Sequence, residues 1–208
     1  MISDKTLITF FGVALSMYLL LVLAIVPGLH LDYGTSNFTA NAAKTFFPKT
    51  EWIANPEKAD KGKDIDIKII AEAKDSRDGQ MKRSQGVNTL SSKNKVLIPF
   101  LILLSFITAT FVAFPMSWRN RIIVIILALI IFSLYCVFLF SMSINYVERV
   151  TVAHIENGEQ KAKDIIEKLW FGQFFNTNIG FMTIIPTIMW ALITAWAVDW
   201  KKVLTRKA

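Results

Sequence analysis

Hydrophobic residues fall into four runs, residues 6–26, 96–118, 122–147 and 169–198, and none of these contains Asp, Glu, Lys or Arg. Each is long enough to cross a bilayer as a helix, because about 20 apolar residues rising ~1.5 Å each cover a hydrocarbon core of ~30 Å. The pattern predicts an all-α membrane protein. Its plan is a four-transmembrane-helix bundle, with a larger first extracytoplasmic loop carrying a short β element and an interfacial amphipathic helix before the last span. The divisions are residues 1–28 (tail and first span), 29–95 (first outer loop), 96–147 (second and third spans as a hairpin), 148–178 (second outer loop) and 179–208 (fourth span and basic tail). The first run, 21 uncharged residues ending at Pro27 and Gly28, exceeds the ~7–15 residues of a signal-peptide core and reads as a retained anchor.

Within the spans, small residues recur every four positions: Gly12 and Ser16 on the first, Ser105, Ala109 and Ala113 on the second, and Thr183, Thr187, Ala191 and Ala195 on the fourth. Residues at i and i+4 share a helix face, and small side chains there let helix backbones approach closely. These are the predicted helix-packing positions. Ser133, Val137, Ser141 and Asn145 repeat the spacing on the third run. Pro186 cannot donate to the Met182 carbonyl, so a bend is expected in the fourth.

The loops carry two patterned segments. Asp64 to Ile69 alternates polar and apolar residues, the period of a half-buried strand. One strand cannot bury its own face, so it either pairs with a strand of a partner or packs on Phe46, Phe47, Trp52 and Ile53. Residues 74–95, rich in Gly, Ser, Asn and Gln, read as flexible or weakly helical. After Asn157-Gly158, residues 159–175 place Ile165, Ile166, Leu169, Trp170 and Phe174 on one helical face, as in a helix lying in the membrane interface. Ile65, Ile67, Ile69, Ile165, Leu169 and Trp170 are therefore the candidate partner-binding residues.

Charge orients the chain. Lys5, Arg119, Arg121, Lys201, Lys202, Arg206 and Lys207 all fall beside spans on one side, which puts both termini and the middle turn in the cytoplasm by the positive-inside bias. The net charge of +7 is largely this topological excess, since the other 16 Lys and Arg face 14 Asp and Glu in the outer loops. No nucleic-acid partner is implied. The spans hold no ionisable group of the kind that proton relays and voltage sensors require.

Chemistry is sparse. His30 and His154 are the two histidines; Glu148 and Glu156 lie near the second in sequence, and no zinc, phosphate-loop or nucleophile motif accompanies them. The single Cys136 sits inside the third run and can make no intramolecular disulfide. Asn37-Phe38-Thr39 is a glycosylation sequon only in a secretory eukaryotic setting. No catalytic, metal or cofactor residues are assigned, and no cofactor is expected. The span count and topology resemble those of small four-span immunity proteins against pore-forming toxins. The tetraspanin and claudin plan shares the large first outer loop, but its outer-loop cysteines are missing here. The expected role is a non-catalytic subunit or accessory protein of a larger membrane complex, in a bacterial inner membrane, whose partners are other membrane subunits and the lipid bilayer. An immunity or exclusion factor and a small transporter or channel are the alternatives.

Overall fold

The structure is a computed structural model that describes residues 4–61, 63–168, 184–195 and 197–199. Two compact units emerge, one from residues 1–31, 97–135 and 179–208, the other from residues 32–96 and 136–178.

The first unit is helical. Helix α1 (Asp4–Leu20) continues through a π-turn, Leu21–Ile25, and a last turn, Val26–Gly28. A second π-turn, Lys93–Leu97, leads into α3 (Ile98–Ala113); α4 begins at Trp118 and α5 spans Ile185–Thr194. Each interruption sits just before a proline. Pro27 and Pro99 lack the N–H that would bond four residues back, and the ring crowds that carbonyl. A wider turn ahead of the ring relieves the clash. The same placement recurs at Ile184, ahead of Pro186, where the sequence predicts a bend.

Helix α3 is the centre of this unit: 56% of its apolar window is buried, against 17% for that of α1. Phe10 of α1 stacks near Trp190 of α5 at 5.1 Å, Phe114 at 5.8 Å and Phe106 at 6.0 Å, with Ala14, Ala109 and Val198 completing the cluster. Trp190 donates its indole N–H to Thr110 Oγ1 at 2.7 Å, so the buried threonine ties α5 to α3. At the end of α3, Arg121 donates to the Phe111 carbonyl at 3.1 Å and lies over its ring, satisfying a carbonyl that the helix itself leaves open.

Three helical stretches, Lys5–Gly28, Lys93–Ala113 and Trp118–Glu156, are long and apolar enough to cross a membrane. In the fourth predicted run the described helix is the ten-residue apolar α5.

The protein is mostly helical, and in the second unit the short β element expected in the first loop is part of a small sheet. Helix α2 (Leu31–Phe46) precedes a three-stranded antiparallel sheet in the order β1-β2-β3, with β1 at Glu51–Ala54, β2 at Ile65–Lys74 and β3 at Met81–Leu90. Residues 74–95, expected to be flexible or weakly helical, hold β3, which pairs along all ten residues of β2. The hairpin turns at residues 75–80, where Gly79 takes a left-handed φ of 70° that favours glycine. Helix α4 also departs from expectation. It runs unbroken over Trp118–Lys168, 51 residues or ~76 Å, through Asn157 and Gly158, where a loop and a separate interfacial helix were expected. Its residues from 136 onward belong to the second unit. Trp52 of β1, fully buried, meets Phe140 of α4 edge-on at 5.3 Å, and Ile65, Ile67 and Leu139 are equally buried in the same unit.

Candidate functional site

Ser36 of α2, Asp64 just before β2 and Ser92 just after β3 converge in the second unit, and all three are wholly buried. Ser36 Oγ donates to Asp64 Oδ2 at 2.5 Å, the Ser92 backbone N–H donates to Oδ1 at 3.0 Å, and the Ser92 hydroxyl also donates to the carboxylate. Nearby, Lys93 reaches Asp32 at 4.0 Å. A carboxylate with two hydroxyls and no base does not make a nucleophile. The arrangement holds three distant chain segments together.

A second cluster closes the hairpin. Asp75, 1% exposed, accepts from the Arg77 backbone N–H at 2.9 Å and from both ends of its guanidinium fork at 3.2 and 3.1 Å, and Lys82 Nζ lies 2.7 Å away. The loop is tied to α4, because the Ser76 N–H and hydroxyl both donate to the Glu156 carbonyl. The hydrogen bonds from Arg77 and Lys82 hold the Asp75 carboxyl far below the ordinary carboxylate range, outweighing burial; Lys82 bonds lower Asp78 as well. A carboxylate depressed in the folded state contributes stability above its unfolded value of about 3.9, and loses it as pH falls below that value. Amide-exchange protection of residues 75–80 is therefore expected to fall below about pH 4 in the wild type. Asp75→Asn should flatten that dependence. Unchanged protection in acid would separate the loop's order from Asp75.

Two depressions flank β3. One, about 460 Å3, gathers Lys49, Glu51, Lys68, Glu72, Arg83 and Glu148 around Ile70, with ion pairs Lys68–Glu51 at 3.9 Å and Arg83–Glu72 at 3.5 Å. The other, about 410 Å3, lies between residues 84–88 and the face of α4 that carries Tyr146, Val150 and His154. His154 Nδ1 is 2.8 Å from the Val150 carbonyl, so that nitrogen carries the proton in this bond. Among the described residues, no group of three or more His, Cys, Asp or Glu is placed to hold a metal. Thr39 Oγ1 and Trp52 Nε1 are buried without a hydrogen-bond partner, and neither lines either depression.

The predicted packing residues divide. Ser105 and Ala109 are buried on α3 and Ala113 is half-buried. Gly12, Ser16, Thr187, Ala191 and Ala195 are exposed within the chain, so the faces that pack are others: Phe10, Ala14 and Leu21 on α1, and Met189, Ile193 and Thr194 on α5. Aromatic rings set those contacts, which the small-residue rule does not anticipate. Thr183 lies outside the described residues. Ala109→Phe should lower the thermal midpoint of the detergent-solubilised protein by several degrees, because a ring added at a fully buried alanine has no space. Gly12→Phe, at an open position, should leave the midpoint within about a degree. Equal effects would mean α3 does not pack through Ala109.

The predicted contact residues divide too. Ile65 and Ile67 are core, with no exposed surface, and Ile69 is half-buried; of the two alternatives for this strand the structure takes the one within the chain, pairing it with β1, which carries Trp52 and Ile53, and adds β3 on its other side. Ile165 falls in α4 with its side chain outside the described set, as are Leu169 and Trp170 altogether. What the sequence reading missed is the opposite face of β2, where Ile70 is 57% exposed, diagonal to Val87 of β3 at 58%. Their signal was the Ile69-Ile70 doublet, which breaks the alternation.

Comparison with protein-family models, curated proteins and solved structures finds no match.

Proposed function

We propose that the chain is a non-catalytic subunit or accessory protein of a larger membrane complex, anchored by its apolar helices and contacting a partner protein through the sheet-bearing unit. The observation that carries this reading is the exposed Ile70 and Val87 pair on the face of the sheet opposite the one that carries the buried Ile65, Ile67 and Ala71 of β2. The ion pairs Lys68–Glu51 and Arg83–Glu72 bracket it, giving the apolar centre and polar rim of a contact patch. Exposed ion pairs contribute little to stability themselves, about 0–1 kcal/mol, so they are free to serve recognition. The proposed setting is a bacterial inner membrane crossed four times, with cytoplasmic termini, the fourth crossing including α5. It is supported by the seven clustered cations beside the spans.

The test is crosslinking and recovery of the full-length chain from native membranes. Ile70→Asp and Val87→Asp, lying outside the core, should leave the protein folded and inserted but reduce partner recovery about tenfold, the equivalent of ~1.4 kcal/mol. If the wild type is recovered alone, or both variants retain the partner, the reading fails.

A further inference from the structure

We propose that the groove between β3 and α4 is a peptide-binding site that takes an extended, uncharged segment of the partner protein as a fourth strand of the sheet. This rests on the accessory-subunit reading and names the chemistry of what is recognised. Three observations carry it. First, residues 84–88 all line the groove. Successive strand side chains point to opposite faces, so five consecutive residues share one space only along the strand's edge. Second, that edge is open among the described residues. β3 is paired with β2 alone, leaving on its far side the alternating N–H and C=O groups that template another strand. Third, the helix wall beside that edge is one face of α4, Tyr146, Val150 and His154 recurring at four-residue intervals next to Val147 and Thr151, on which β3 rests at Gly86. A strand edge facing a helix wall recognises a peptide through main-chain hydrogen bonds, with side-chain pockets selecting sequence.

The lining sets the partner's chemistry. Its polar groups include Ser84, Gln85, Asn88 and Tyr146, and it contains no Asp, Glu, Lys or Arg. A charged side chain entering it would lose hydration without gaining a counter-ion. With Nδ1 of His154 committed to the Val150 carbonyl at 2.8 Å, Nε2 is the ring nitrogen left to face the incoming segment. A single extended segment fits this edge better than a second copy of the chain. A second copy would bring its own α4 against the same strand, whereas a peptide brings only backbone and short side chains.

The experiment uses the full chain in lipid nanodiscs and a displayed library of uncharged peptides matching the ten residues of β3 in length. The expected result is selection of extended sequences whose synthetic forms slow exchange of alternate amides in β3 by about tenfold or more. Val150→Asp and Tyr146→Ala, each checked for an unchanged melting point, should weaken the same peptides about tenfold. No selection, or selected peptides that bind both variants as well as wild type and leave β3 exchange unchanged, overturns the proposal. So does protection of β3 that appears without peptide and depends on protein concentration, which would assign the edge to a second copy. The two readings fail separately. Ile70→Asp should keep peptide binding, so loss of peptide selection with the partner still released by Ile70→Asp removes only the groove. Peptide selection with no partner recoverable from membranes removes only the accessory role.

Discussion

Gly86→Val will unfold the sheet-bearing unit or lower its melting point by many degrees, a larger effect than the same change at Gly12, Gly28 or Gly34, where a side chain meets nothing within 4 Å. A Cβ at Gly86 would lie 1.9 Å from Thr151 Oγ1 and 2.9 Å from Val147 Cγ1, closer than real atoms approach. Both neighbours are buried side chains of α4. Thr151 is further pinned by its hydrogen bond to the Val147 carbonyl at 2.7 Å, so it cannot rotate away without losing that bond. Overpacking by a methyl group costs about 1–3 kcal/mol, and valine exceeds that because the obstruction is a helix face. Gly86→Ala gives the graded version. Adding Thr151→Ala removes the closest clash and should recover at least part of the loss, which a double-mutant cycle in the full chain measures as coupling. Gly34→Ala is the control: nothing lies within 4 Å of its Cβ position, and alanine in a helix stabilises by about 0.5–1 kcal/mol. If Gly86→Ala behaves like Gly34→Ala, β3 does not rest on α4.

That glycine also explains why the sheet was only half legible. The inward isoleucines of β2 write their alternation into the sequence, and β2 was readable from them. β3 has no such signal, because at Ile69 its partner is Gly86 and its contact with the helix is backbone against Thr151. Its polar composition therefore looks like a loop. The apolar helices were legible as charge-free runs, yet the length of α4 was not. Asn157 and Gly158 look like a break, but one glycine in a helix costs only about 1 kcal/mol, and Thr151, Ala153 and Ile155 are buried just before it. The small-residue stripes show how far periodicity reaches. It finds which residues share a face but not which faces meet, and the Phe10 and Trp190 rings decide that on α1 and α5. Ile65 and Ile67 illustrate the same limit: alternation marks them as one face of a strand, and only the fold shows that this face is buried inside the chain.

The buried carboxylate is the other position where a single change should have a large effect. Asp64→Ala is expected to destabilise the second unit by about 3 kcal/mol or more, since hydrogen bonds to a charged group contribute roughly 1.5–3 kcal/mol and the stranded donors are costly. The variant leaves the Ser92 N–H and two serine hydroxyls facing a void, with Ser36 and Ser92 at 0% exposure. The Ser36 hydroxyl has a second acceptor, the Asp32 carbonyl at 3.0 Å, and can fall back on it; the Ser92 N–H has no alternative of that kind in its immediate network. Asp64→Asn should be milder, by about half, because the amide oxygen still accepts from that N–H while its NH2 donates to hydroxyls that rotate. The segments joined here are α2, the start of β2 and the turn into α3, separated by 28 residues on either side of Asp64. Their release should appear as faster amide exchange in α2 before global unfolding, with the hairpin loop at residues 75–80 unaffected. Chemical unfolding of the full chain in detergent reads the first effect and residue-resolved exchange the second. Alanine tolerated to within about 0.5 kcal/mol would show that α2 is held to the sheet by its apolar contacts alone, and that the carboxylate's burial serves something other than stability.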